Sequence, residues 1–159
     1  MDRSVEMLIA YRRTTLKLLE GLSMDSLNAI PPGFNNNLIW NFGHVVVSQQ
    51  SMCYLNAGLK PVIDETYFVK YRKGTKPEKP VDKAEFETLK NLSETALQQL
   101  DRDLENNLFS RFNPFGTSYG VEITNINDVL KILLFHEGLH LGYCMALKRA
   151  QGNRGNRSL

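Results

Sequence analysis

The sequence contains no apolar run near the roughly 20 residues that a helix needs to cross a bilayer. Only two of its 159 residues are cysteine, which excludes a disulfide framework. Basic and acidic side chains number 19 and 17, so no excess of one sign favours nucleic acid or a membrane surface as a partner. The first residues also lack the pattern of a signal peptide. We therefore expect a cytoplasmic protein with reduced thiols.

Apolar side chains recur at helical spacing in four long segments of the chain. Asn36 and Asn37 stand at the capping position of the second segment, and Gly58 follows its last turn. No alternation of apolar and polar residues is long enough to build a sheet. The pattern therefore predicts an all-α protein, a four-helix bundle with a short extra helix or turn in the connections. The four segments are residues 2–22, about 38–57, about 82–107 and 124–147.

The connections between these segments are polar, and so is the end of the chain. We predict a single domain over residues 1–152 and a flexible tail over residues 153–159. The aromatic loop 109–120 is long enough to be a functional lid. The stretch 59–82 is ordinarily interpreted as a solvated connection, with an anion-binding loop as the alternative. Its basic residues include Lys70, Arg72, Lys73, Lys76 and Lys79.

The chain has only three histidines, and two of them stand four residues apart. On a helix this spacing places His136 and His140 on one face, about 6 Å apart along the axis, so both imidazoles can bind one ion. They fall on the apolar stripe of the fourth segment, where two buried imidazoles without partners would be costly. His44 lies on a semi-polar face of the second segment that also carries Asn41 and Ser48. The three histidines together predict one divalent metal site inside the bundle.

The string from His136 to His140 also matches H-E-x-x-H, in which the glutamate is the general base of a zinc peptidase. Such peptidases generally take a third ligand downstream, and the 19 residues after His140 include no His, Asp or Glu. Glu137 is therefore a catalytic or positioning candidate, with a solvated surface residue as the alternative. Cys144 is a less suitable ligand, because it lies about 80° around the helix from His136.

The order of these motifs resembles the DinB/YfiT-like superfamily, whose members are four-helix bundles with a histidine on the second helix and an H-x-x-x-H pair on the last. The matching segments are Asn37-Leu-Ile-Trp-Asn-Phe-Gly-His44-Val and His136-Glu-Gly-Leu-His140-Leu-Gly142. The resemblance implies that His44, His136 and His140 are the metal ligands. Members often have glutamine where this sequence has Tyr143, which predicts a different pocket shape or hydrogen bonding.

The resemblance also implies homodimers, and transferases or isomerases that depend on thiols such as bacillithiol or mycothiol. Three imidazoles leave coordination positions open, as in a catalytic site, and suit Ni or Zn as well as Fe or Cu. We therefore expect a metal-dependent S-transferase or hydrolase in which a thiol or water attacks a small electrophilic substrate. Asn41, Ser48 and Tyr143 are the candidates for orienting that substrate. A non-catalytic metal- or ligand-binding protein is the alternative, and a zinc peptidase is a further one.

Overall fold

The computed structural model describes residues 1–152, which are mostly helical and confirm the all-α class. Residues 153–159, for which we predicted a flexible tail, lie outside the described residues. None of the helices found within 1–152 combines the length and apolarity that a membrane crossing requires. The helices are α1 (Arg3–Leu19), α2 (Met24–Asn28), α3 (Leu38–Gln50), α4 (Glu65–Tyr71), α5 (Lys83–Glu105) and α6 (Ile126–Gly152).

Polar caps set where the helices begin, close to the predicted positions. Asn37 caps α3, because its Oδ1 accepts a hydrogen bond from the backbone N–H of Trp40 at 2.7 Å. Asp82 caps α5 in the same way. At its end α3 passes into a wider π-helical turn (Ser51–Leu55), a feature that is frequent at functional sites. Gly58 follows with φ of 68°, a conformation that glycine adopts without strain.

One small antiparallel ladder interrupts the aromatic loop between α5 and α6. Strand β1 (Phe115–Gly116) pairs with strand β2 (Glu122–Ile123), and Phe115 lies opposite Ile123. Sequence analysis predicted no strand here, because a two-residue strand is too short to show an alternating pattern. The ladder folds the loop back on itself, so the predicted lid has a defined shape.

The long helices surround an apolar interior that a polar layer divides. Helix α1 packs on α5 and α6, and α3 packs on the same two helices. The buried apolar residues form two clusters, one toward each end of the long helices. On α1, Arg12 lies between Leu8 of one cluster and Leu19 of the other. Glu137 has the corresponding position on α6, so two charged residues separate the clusters.

Candidate metal centre

The three histidines meet where α3 and α6 pack together. One potential ligand nitrogen from each of His44, His136 and His140 lies within 4.8 Å of the other two. The centroids of the His136 and His140 rings are 4.5 Å apart, as expected for an i, i+4 pair on one helix face. The His44 centroid is 5.2 Å from that of His136 and 4.8 Å from that of His140. The structure therefore brings together the three residues that the sequence singled out.

Three neighbours orient the His44 ring. Its Nδ1 lies 2.7 Å from the backbone carbonyl oxygen of Tyr71, the last residue of α4. A carbonyl only accepts, so Nδ1 carries the proton and the Nε2 lone pair is available for a ligand. The hydroxyl of Ser48 lies 3.2 Å from this Nε2. The Trp40 ring stacks on the imidazole, with the two centroids 4.7 Å apart.

Gly43 allows α4 to come close enough to supply that carbonyl. A Cβ at Gly43 would lie 2.6 Å from Cδ1 of Tyr71, inside the closest approach of two carbons. The Tyr71 hydroxyl donates to Glu85 Oε1 at 2.8 Å, and Lys70 pairs with the same carboxylate at 2.6 Å. These bonds hold α4 against α5. The position of the carbonyl that orients His44 therefore depends on a close helix contact that only glycine permits.

Asn41 orients His140 across the interface between α3 and α6. The Asn41 amide nitrogen donates to the carbonyl of Asn37 at 2.8 Å, so its Oδ1 is the atom that faces His140. The His140 Nδ1–H donates to this oxygen at 2.8 Å, which leaves the Nε2 lone pair available. We predicted Asn41 as a substrate-orienting residue. It is only 1% exposed and both of its amide atoms are bonded, so it positions His140, and its contact with a substrate stays a prediction.

His136 has a buried ring nitrogen without a partner. Its Nδ1 forms no hydrogen bond with any of residues 1–152. Burial lowers the pKa of His136 to about 3, with a further lowering from His140, His44 and Arg12. Burial also lowers the pKa of His140 to about 4 and that of His44 below its ordinary value. The three imidazoles are therefore neutral at pH 7, which is the form that binds metal, and a divalent ion fits this set of donors.

A cleft of about 380 Å³ opens beside the histidines. Ser48 lies on its wall, as predicted for a substrate-binding position, although that role stays a prediction. The predicted lid supplies residues 115–119, and the Tyr119 ring packs edge-on against Phe135 with centroids 5.2 Å apart. The remaining lining residues are hydroxyl-bearing, apolar and basic side chains: Ser51, Met52, Ile132, Leu139, Val47, Arg72 and Lys73.

Glu137 lies inside the protein, away from this cleft. Its Oε1 accepts from Arg12 Nε at 2.8 Å, and the residue is only 2% exposed. Burial raises the pKa of Glu137, and the Arg12 guanidinium opposes that rise. The interpretation as a solvated surface residue is therefore wrong. One step along α6 turns the side chain by about 100°, so Glu137 faces α1 while His136 faces α3.

Two further residues considered for the site lie outside it. Tyr143 is 36% exposed and packs edge-on against Phe34, with ring centroids 5.5 Å apart. It does not line the cleft, so the structure gives no support to its predicted contact with a substrate there. Cys144 is 1% exposed and is not part of the histidine cluster.

Sequence reasoning missed three contributors to this region. The Tyr71 carbonyl has no sequence signal, because every residue has the same backbone group. Gly43 does have a sequence signal, because a glycine inside a helix lowers stability and indicates that another chain segment comes close to the helix. Arg12 also has one, since it falls on the buried stripe of α1 with Val5, Leu8 and Leu19.

The sequence matches the DinB superfamily over residues 7–144, a span that includes all three histidines. The comparison with curated proteins gives no match. The family match covers most of the 159 residues. The chain therefore belongs to the DinB superfamily.

Proposed function

We propose that this chain is a metal-dependent enzyme built on a four-helix bundle, in which His44, His136 and His140 hold one divalent ion beside the cleft. The observation that carries the proposal is the convergence of three neutral imidazoles within 4.8 Å. Two of them are already oriented by hydrogen bonds through Nδ1, and the third has a buried nitrogen without a partner. Orientation of this kind is typical of metal-binding histidines.

The surroundings of the site favour chemistry on a small molecule. A bound divalent ion lowers the pKa of a thiol or water and polarises an electrophilic group. The chain itself supplies the Ser48 hydroxyl beside His44, and a cleft wall formed by the lid and Phe135. These features support attack by a thiol or water on a small electrophile, as in an S-transferase or a hydrolase. The bond from Glu137 to Arg12 argues against a peptidase that uses this carboxylate as base.

Metal binding is the first point to test. We expect protein purified without added metal to contain, or to take up, one Ni or Zn ion per chain by elemental analysis. His136→Ala should lower the affinity for the metal ion about 100-fold or more, because losing a metal ligand costs more affinity than losing a residue that only orients a ligand. Cys144→Ala, a change on the same helix about two turns from His136, should leave the affinity unchanged. Absence of metal together with failure to take up Ni or Zn would overturn the proposal.

Turnover is the second point, and it separates the enzyme from a binding protein. The metal-loaded chain should consume a small electrophile in the presence of a low-molecular-weight thiol or water, and His136→Ala should abolish that consumption. Full metal occupancy without turnover of any electrophile in a broad screen would favour the non-catalytic alternative. The homodimer implied by the family resemblance stays a prediction, and light scattering on the purified chain tests it.

A further inference from the structure

Arg72 and Lys73 directly follow the residue whose carbonyl orients His44. Both side chains are exposed, and both line the cleft beside the histidines. Neither forms an ion pair with another part of the chain within 1–152. Lys70, two residues earlier, is instead paired with Glu85 at 2.6 Å. The turn after α4 therefore brings two uncompensated positive charges to the cleft.

Every charged side chain on the wall of the cleft is basic. Within residues 1–152, no aspartate or glutamate lines it. Lys73 is close enough to His44 for its charge to contribute to the lowered pKa of that histidine. A bound divalent ion would add further positive charge. A cleft with walls of low dielectric constant concentrates such a field, so it attracts anions.

The rest of the cleft is suited to an apolar group. Ile132, Phe135 and Leu139 of α6 line it, and the last two are about half exposed, at 51% and 48%. The volume of about 380 Å³ falls in the range of cavities that hold small organic ligands. A complementary ligand therefore has an apolar body and an anionic end.

We propose that the cleft selects a small organic anion, with Arg72 and Lys73 binding its anionic group and α6 contacting its apolar body. The inference rests on the proposed function for the chemistry at the histidines, and it adds the class of substrate. It also assigns a function to Arg72 and Lys73 within the basic stretch 59–82, for which an anion-binding loop was one of two interpretations. Lys76 and Lys79 do not share this function, because they line a separate cavity next to Trp40.

The test compares ligands of the same shape and different charge. Binding of phenylacetate and of neutral phenylacetamide is measured by calorimetry on the full chain, with phenyl phosphate as a second anion. Each titration is made on the metal-loaded protein and on protein stripped with a chelator, because a carboxylate can also bind the ion. The variants are Arg72→Gln/Lys73→Gln and the matched control Lys76→Gln/Lys79→Gln, which removes the same charge elsewhere.

We expect the unmodified chain to bind at least one of the two anions about tenfold or more tightly than phenylacetamide, with or without metal, since charge-assisted hydrogen bonds are strong. The Arg72→Gln/Lys73→Gln variant should lose this preference, and the Lys76→Gln/Lys79→Gln control should keep it. Which anion binds more tightly assigns a carboxylate or a phosphate to the natural ligand. Equal binding of all three ligands, or equal loss in both variants, would overturn the inference.

The same titrations distinguish this inference from the proposed function. If the chain binds one metal ion but shows no anion preference that depends on Arg72 and Lys73, only the substrate class is wrong. If the anion preference is present and no metal binds, the proposed metal chemistry is wrong and the anion site remains. A melting temperature is recorded for both variants, because a role limited to the end of α4 would change stability without changing ligand preference.

Discussion

His136 and Glu137 are neighbours on α6, yet they belong to two polar clusters with opposite properties. Glu137 belongs to a closed cluster, in which the Arg12 guanidinium donates to its carboxylate and to the backbone carbonyls of Ser93 and Val45. His136 belongs to an open cluster, in which one ring nitrogen has no partner within the described chain and a cleft lies alongside. The two clusters share a helix and differ in whether their hydrogen bonds are complete.

The comparison shows how a structural polar group can be told from a functional one. A buried charge whose bonds are all made within the chain needs nothing further, and its removal damages the fold. A buried donor set that is oriented but incomplete needs a ligand. The glutamate of the H-E-x-x-H string is paired inside the fold, whereas the two histidines line the cleft.

The largest expected effect comes from opening the closed cluster. Glu137→Gln leaves the Arg12 charge buried without compensation, so we expect the free energy of unfolding to fall by about 3–5 kcal/mol in denaturant titrations. Replacing both residues by methionine should cost less than Glu137→Gln alone, because no unpaired charge remains. A variant that kept its stability and lost metal binding would instead assign Glu137 to the open cluster.

The next effect concerns the hydrogen bond between Asn41 and His140 in the open cluster. Asn41→Leu removes the oxygen that orients His140, and we expect metal affinity to fall about 10- to 100-fold in competition titrations with a chelating dye. Asn41→Asp keeps a hydrogen-bond acceptor at that position, so it should lower metal affinity less than Asn41→Leu does. If the two substitutions weakened metal binding equally, the hydrogen bond to His140 would not be the cause.

A smaller effect tests the close contact between α3 and α4. Gly43→Ala places a methyl group against the Tyr71 ring, so we expect a loss of about 1–3 kcal/mol in unfolding free energy and weaker metal binding. Gly142→Ala is the matched control on α6, since its Cβ would meet nothing within 4 Å. That control should gain about 0.5–1 kcal/mol from helix propensity. Similar losses for both variants would contradict the role assigned to Gly43.

The last effect is a pH dependence of the metal-free protein, which is small near neutral pH and grows as the pH falls. The folded pKa values of His136 and His140 are lowered to about 3 and about 4, while unfolded histidine has a pKa of about 6.5. Between these values the unfolded chain binds more protons, so the free energy of unfolding should fall as the pH drops from about 6.5 toward 4. His136→Gln should show a shallower slope in the same denaturant titrations at each pH. An unchanged slope would mean that His136 is not held neutral by the fold.

Much of the site was predictable because its signals are local. Helical periodicity and the capping residue Asn37 placed the starts of the long helices within one or two residues. The i, i+4 spacing placed His136 and His140 on one face, which depends on the geometry of a single helix. The choice of His44 rested on the semi-polar stripe of α3 together with the family resemblance.

How the side chains of the site are oriented, and which residues line the cleft, depended on contacts between segments that are distant in the sequence. Glu137 was ambiguous because its partner, Arg12, lies 125 residues away in the sequence. The contacts of Asn41 and Tyr143 were not predicted for a related reason, since the angle around one helix does not say which neighbour that face meets. The sequence alone did not distinguish Arg72 and Lys73 from the other basic residues of segment 59–82, because the distinction depends on where α4 lies.

The sequence by itself determined that this protein is helical, where its long helices begin, and that His136 and His140 share one helix face, because a repeat of 3.6 residues per turn encodes faces directly. Only the tertiary structure decided which side chain completes which polar group. It paired Glu137 with Arg12, brought the Tyr71 carbonyl to His44 and left His136 beside an open cleft. The reason is physical: hydrogen bonds and ion pairs act over a few ångströms, and chain segments reach that distance only after the helices have packed.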